Sequence, residues 1–279
     1  MRKARVLLNF FGLKSERGKA ETTMADYIEG KRPIIEALRA HVPVKRIYLA
    51  DNQRRDPLVE DILRKARQRD IAVKEVPRAK LDDMSERGSH QGVIAETLPY
   101  DYCGIGDLID DAEKYADAHD GRALIVLLDH ITDSGNLGAV VRSAEAVGAT
   151  GVIIPNKRSA HVDAATYKSS AGALAHLPVA QTSNIVQAIK RLQENGFWIV
   201  AATEYANDSI WNVNLKGKIG LVMGNEHDGV SRLVLERCDL AGKLPMEGEV
   251  SSLNVAQAST ACMFEWLRQN QASGARKAD

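Results

Sequence analysis

Cysteine is scarce in this chain: three in 279 residues, at positions 103, 238 and 262, far apart and odd in number. That pattern excludes a disulfide framework and a Cys-x-x-Cys metal site, and it fits a reducing cytoplasm. The seven histidines include no His-Glu-x-x-His spacing, so no structural metal is expected. No uninterrupted apolar run approaches the ~18 residues of a membrane span. No clear Gly-x-Gly-x-x-Gly follows a strand, which argues against a dinucleotide-dependent oxidoreductase. An excess of one charge is also missing, because 37 Lys+Arg balance 37 Asp+Glu.

What is present is the balance of a globular protein, 44% hydrophobic and 27% charged, at a length that suits one large domain or two ordinary ones. The neutral total hides an uneven distribution. Residues 1–98 carry 21 Lys+Arg against 15 Asp+Glu, or +6, and residues 99–279 carry 16 against 22, or −6. The basic third is where a polyanion would dock. Residues 1–23 read as a basic, flexible extension rather than a signal peptide, since the run from Val6 to Leu13 is interrupted by Asn9 and lacks a small-residue cleavage site. Met24 is a candidate start.

Residues 24–98 read as a small α/β unit. A turn at Tyr27-Ile-Glu-Gly leads into apolar residues at helical spacing, Ile34, Ile35 and Leu38. Arg46–Ala50, Ile71–Val76 and Gly92–Glu96 are strand-like. Pro57–Arg69 is an amphipathic helix with Leu58, Ile62 and Leu63 on its apolar side. Residues 99–120 hold seven acids and one lysine and read equally as an acidic linker or as a solvated helix over 105–118. From 121 to 270 strands and helices alternate. Ala123–Leu128 is a continuous apolar run, as in a strand buried on both faces of a parallel sheet, so an α/β domain with ligands at the carboxyl ends of its strands is expected. Residues 271–279 read as a flexible tail.

Three segments of that domain carry candidate chemistry. Asp133-Ser-Gly-Asn-Leu-Gly-Ala-Val-Val-Arg-Ser-Ala144 follows the buried strand and opens a helix. Asn136 is a candidate cap, Gly135 and Gly138 permit a tight turn and close packing, and Arg142 falls nearly two turns beyond Asn136 on almost the same side. Leu221-Val-Met-Gly-Asn-Glu-His-Asp-Gly-Val-Ser231 ends a strand at Gly224 and puts Glu226 in the following loop, with Ser231 as a candidate cap. Leu244-Pro-Met-Glu-Gly-Glu-Val-Ser-Ser-Leu-Asn-Val-Ala256 offers Ser252 or Asn254 as cap of a last helix. Each segment alone reads about as well as a generic strand-turn-helix, a solvated loop acid or a capped terminal helix.

Their order and spacing carry more. Asn-x-Gly-x-x-x-Arg, then Gly-x-Glu-x-x-Gly some eighty residues on, then Met-x-Gly-x-x-x-Ser-Leu-Asn, resemble the three motifs of the SpoU (TrmH) family of RNA ribose 2′-O-methyltransferases, of the SPOUT class. Ile28-Glu-Gly-Lys-Arg-Pro and Ser89-His-Gln-Gly-Val93 resemble the RlmB branch of that family.

The resemblance implies a C-terminal α/β domain with a deep trefoil knot, preceded by a small RNA-binding domain similar to ribosomal protein L30e. It implies S-adenosyl-L-methionine as cofactor, 23S ribosomal RNA as partner, a cytoplasmic homodimer, and neither a membrane nor a metal. Asn136, Arg142, Glu226, Ser252 and Asn254 match catalytic positions; Gly224, Leu244, Met246 and Leu253 match cofactor-binding ones. The leading target is a guanosine of the peptidyl-transferase region. A 23S adenosine (as in thiostrepton-resistance enzymes), a tRNA, and a non-catalytic assembly factor are the alternatives. Lys31, Arg32, Lys45, Arg46, Arg54 and Arg55 are candidate phosphate contacts.

Overall fold

The computed structural model describes residues 27–85, 88–225, 228–249 and 252–271, which form two sheets. The first has four strands: β1 (Tyr27–Glu29), β2 (Val44–Ala50), β3 (Ala72–Val76) and β4 (Val93–Thr97), in the order β1-β4-β2-β3. Only β2 and β3 are parallel. Helices α1 (Lys31–Arg39) and α2 (Pro57–Gln68) pack on one face and α3 (Arg78–Met84) on the other.

Helix α2 starts where it does because Asp56 accepts hydrogen bonds from the N–H groups of Leu58 and Val59, and Pro57 has no N–H to satisfy. Its buried stripe is Val59, Ile62 and Ala66, while Leu58 is exposed, so the expected stripe of Leu58, Ile62 and Leu63 is turned by one position. The expected turn at Tyr27 is strand β1, and the turn comes at Gly30, whose φ of 94° suits a residue without Cβ.

The second sheet is parallel throughout. Its strands are β5 (Ala123–Asp129), β6 (Gly151–Pro155), β7 (Val179–Thr182), β8 (Trp198–Ala202), β9 (Lys218–Gly224) and β10 (Leu240–Gly242), in the order β10-β8-β9-β5-β6-β7. All seven residues of β5 are buried, as its apolar run implies. Helices α5 (Ser134–Ala146) and α9 (Val255–Asn270) cover one face; α4 (Ile105–Ala118) and α7 (Ile185–Glu194) cover the other. Residues 99–120 are not a linker: the expected helix over 105–118 is found, but it is not solvated, because Leu108, Ile109, Ala112 and Ala116 are buried against the sheet.

The chain runs outward from β5 through β6 to β7, then crosses back to place β8 and β9 on the other side of β5. The order of strand addition reverses between β5 and β9, the kind of switch point at which ligands bind in open α/β sheets. Two shorter helices complete this half, α6 (Ala164–Ser170) and α8 (Arg232–Leu235). Helix α6 joins the two sheets' layers: it packs on α5, its Tyr167 reaches the core of the first sheet, and Lys168 pairs with Glu36 of α1 at 2.7 Å. No helix among the described residues is long and apolar enough to cross a membrane.

Candidate active site

The carboxyl ends of β8 and β9, the segment following β10 and the start of α9 enclose a cavity of about 380 Å³. Its walls include Thr203 and Glu204 after β8, Gly224 and Asn225 at the end of β9, and Leu244, Met246, Ser252 and Leu253 before α9. All four sequence-predicted cofactor positions therefore line one space. Gly224 is there for a steric reason. A Cβ on it would lie 2.1 Å from the carbonyl carbon of Gly229 and the nitrogen of Val230, because the chain turns back directly over it. That turn is closed by paired backbone hydrogen bonds between Asn225 and Gly229, at 3.0 and 2.9 Å. Leu244 is half-buried, and Met246 and Leu253 are 40% and 43% exposed, so the apolar wall is open to an entering ligand.

Asn136 does not cap α5. The cap is Asp133, three residues earlier in extended geometry, whose carboxylate accepts from the Asn136 N–H at 2.6 Å. The Asn136 side chain is thereby released for another use: its Oδ1 accepts from Nδ2 of Asn254 at 3.0 Å. Asn254 caps α9 with its own Oδ1, accepting from the Ala256 N–H at 2.9 Å. One asparagine thus starts the last helix and ties it to the first turn of α5, across 118 residues of sequence. Of the two candidate caps of α9, Asn254 is the one used; Ser252 is exposed on the cavity wall. Ser231 stands at the cap position of α8 without a side-chain capping bond. Arg142 is exposed on α5. Glu226 lies outside the described residues.

Sequence reasoning missed Asp129, His130, Asn225, Thr203 and Glu204. Asp129 ends β5 and is 1% exposed. Its Oδ2 accepts from the Ser231 N–H at 2.8 Å, and its Oδ1 lies 2.6 Å from Nδ1 of His130. Asn225 in turn donates from Nδ2 to the His130 carbonyl at 2.8 Å. The signal available in the sequence was an acid closing an otherwise apolar strand, since a buried carboxylate requires partners. The thiols carry no chemistry here: burial pushes Cys103 up to about 11 and Cys238 and Cys262 up to about 12, so all three are protonated near pH 7. Among the described residues no group of three His, Cys, Asp or Glu is placed to hold a metal ion.

Residues 123–264 match the sequence profile of the SpoU rRNA Methylase family, and residues 27–103 match that of the RNA 2′-O ribose methyltransferase substrate-binding domain. The chain is 39% identical over 237 residues to the 23S rRNA (guanosine-2′-O-)-methyltransferase RlmB of Pseudomonas aeruginosa, covering 84% of this chain and 93% of that one. Its fold resembles the SpoU methyltransferase AviRb of Streptomyces viridochromogenes in complex with AdoMet, with a TM-score of 0.63, 25% identity and coverage of 89% and 91%. An AdoMet-bound rRNA methyltransferase from Sinorhizobium meliloti superposes with a TM-score of 0.61 at 25% identity, covering 88% and 87%.

Proposed function

The chain belongs to the SpoU rRNA methylase family, and from that premise we propose that it methylates a ribose 2′-hydroxyl of 23S ribosomal RNA, at a guanosine of the peptidyl-transferase region, with S-adenosylmethionine as donor. The observation that carries this reading is the Asn136–Asn254 hydrogen bond. It brings the first and third sequence motifs together beside the cavity that the second motif's Gly224 helps to form. The name of the Pseudomonas relative supports guanosine and 23S RNA; the two AdoMet-bound structures support the donor.

The cavity suits that cofactor. Its volume falls in the range of small-molecule sites. Leu244, Met246 and Leu253 offer an apolar wall for a purine, and Thr203 and Glu204 offer polar groups for ribose hydroxyls. The bound cofactor supplies an electrophilic methyl on a sulfonium. The protein's part is to orient and to stabilise charge. Asn136 positions the acceptor ribose. Arg142, permanently cationic, stabilises the developing 2′-alkoxide and a neighbouring phosphate through its planar fork. Glu226 holds Arg142 or a substrate amine, and Ser252 and Asn254 steady the loop at the cavity mouth.

RNA grip falls to the first sheet's unit, residues 24–98, and methyl transfer to a domain over 121–270, onto whose sheet α4 of the intervening 99–120 segment packs. Lys31 and Lys45 are engaged with Asp56 and Glu96, each at 2.6 Å. Arg32, Arg54 and Arg55 are exposed near the ends of β1 and β2 and form the phosphate contacts. The same reading includes the L30e-like character of that unit, a trefoil knot and a cytoplasmic homodimer. The knot is supported by β9 lying between β8 and β5 and by the return of α9 from the sheet edge to pack on α5.

The test is to incubate purified protein with methyl-labelled S-adenosylmethionine and unmodified 23S RNA or tRNA, then map 2′-O-methyl groups by mass spectrometry. A labelled guanosine in the peptidyl-transferase region is expected. Label at a 23S adenosine or in tRNA alone moves the target, and no transfer with no cofactor binding overturns the enzyme.

A further inference from the structure

Methyl transfer to a hydroxyl releases a proton, and the arginine of the site cannot take it. We propose that His130 is the proton acceptor, held for that task by Asp129; the inference rests on the transfer reaction proposed above.

Three observations converge on this residue. The first is the pair itself. Asp129 Oδ1 lies 2.6 Å from His130 Nδ1, and the carboxylate is fixed from its other side by the Ser231 N–H at 2.8 Å. A carboxylate buried to 1% exposure and pinned in this way sets the imidazole tautomer, with the proton on Nδ1 and the lone pair on Nε2. Nε2 has no partner among the described residues, and the side chain is 43% exposed.

The second is place. Asp129 pairs with Gly224 in the sheet, and the His130 carbonyl accepts from Asn225, so the histidine backbone is one hydrogen bond from the cavity wall. The segment it begins leads within six residues to Asn136. The other described histidine in the loops at this sheet edge, His161, bonds to Gln181 of β7, two strands further from the cavity than β5.

The third is backbone. His130 has φ of 60°, in the left-handed region, directly after the last residue of β5, a strained backbone of the kind that gathers at functional sites.

The step balances. The 2′-oxygen's electron pair forms the bond to the methyl carbon, the carbon–sulfur pair departs with sulfur, and the hydroxyl proton passes to Nε2. The products are a 2′-O-methyl ribose, S-adenosylhomocysteine and an imidazolium paired with Asp129. Among the described residues, the charged and titratable groups on elements packed against His130 are Asp129 and Asp133 of its own segment, Lys157, Arg158, His161 and Asp163 after β6, and Asp228 and Arg232 after β9.

The experiment is single-turnover methyl transfer across pH 5.5–9 with the full chain, beside S-adenosylhomocysteine binding. The wild type should show an acid limb, its rate rising as the base loses its proton. His130→Asn, chosen because asparagine tolerates a positive φ, should lower the transfer rate by about 10²-fold or more. It should also lose the acid limb and bind S-adenosylhomocysteine as the wild type does. Added imidazole should restore part of the rate in His130→Ala. A His130→Asn enzyme within twofold of wild type with the same acid limb overturns the assignment. A wild type that transfers no methyl overturns the reaction on which it rests.

Discussion

At the scale of single residues, the role of Arg142 separates from cofactor binding by experiment. Arg142 is exposed on α5 and offers a planar fork that lysine does not reproduce. Arg142→Lys keeps the charge and loses the bidentate geometry, so transfer should fall by about 10²-fold, as for loss of one preorganised donor to an oxyanion. S-adenosylhomocysteine affinity should stay unchanged. Single-turnover rates with a binding titration check both, and near-full activity in the lysine variant removes Arg142 from the transition state. Four residues lining the cavity were legible in the sequence through motif order, Gly224, Leu244, Met246 and Leu253, because they are close in two short segments, whereas Thr203 and Glu204 follow a strand outside those motifs. The partnership of Asn136 with Asn254 was not legible from spacing: local rules made each a helix cap, and only the fold shows that Asp133 takes that role at α5 and frees Asn136. Asp129 was hidden for the opposite reason, since it ends a run so apolar that the acid reads as the strand's boundary.

At the scale of elements, strands of five or more residues buried on both faces were legible as apolar runs, among them β5, β6, β8 and β9. Strands β1, β7 and β10, with three or four residues each, are too short to show a period and are defined by their neighbours in the sheet. Two packing contacts make quantitative predictions. Gly138 lets α5 lie against α6, and a Cβ there would stand 2.0 Å from Ser169 Oγ and 2.5 Å from the Thr166 carbonyl. The hydroxyl can rotate away but the carbonyl cannot, so Gly138→Ala should cost about 1–3 kcal/mol, read as a lower urea midpoint. In the first sheet, Glu96 accepts from Lys45 Nζ at 2.6 Å and from Tyr48 Oη at 2.8 Å. The hydrogen bond from Lys45 is the main cause that lowers its pKa, with Tyr48 adding to it. A carboxylate depressed on folding contributes stability that is present above its unfolded pKa and is lost as pH falls through the folded value. Glu96→Gln should therefore destabilise the protein by about 1–2 kcal/mol at pH 7. The gap from wild type should narrow below roughly pH 4, and a gap that stays constant from pH 7 to pH 3.5 rules out the ionised form as the source.

At the scale of the whole molecule, the decisive property is where the charge lies. The net charge is zero, so general attraction to a polyanion is weak, and RNA binding must come from local fields. The excess of 21 basic over 15 acidic residues in positions 1–98 is partly spent inside the fold, because Lys31 and Lys45 are paired with Asp56 and Glu96. Arg32 at the start of α1 and Arg54 and Arg55 on the loop before α2 remain exposed, and α6 ties that unit to the helix carrying Asn136 and Arg142. If these three arginines hold phosphates, each bound phosphate releases about 0.7–0.9 counterion, so log affinity should fall linearly with log salt between 50 and 200 mM. Replacing all three by alanine should weaken RNA binding and reduce the magnitude of that slope by about 2–3. S-adenosylhomocysteine binding should not change, since its cavity lies at the other sheet's edge. A triple variant that binds more weakly with an unchanged slope has lost shape rather than phosphate contacts. One that binds RNA as the wild type does moves the RNA grip off the first sheet and onto the loops around the cavity.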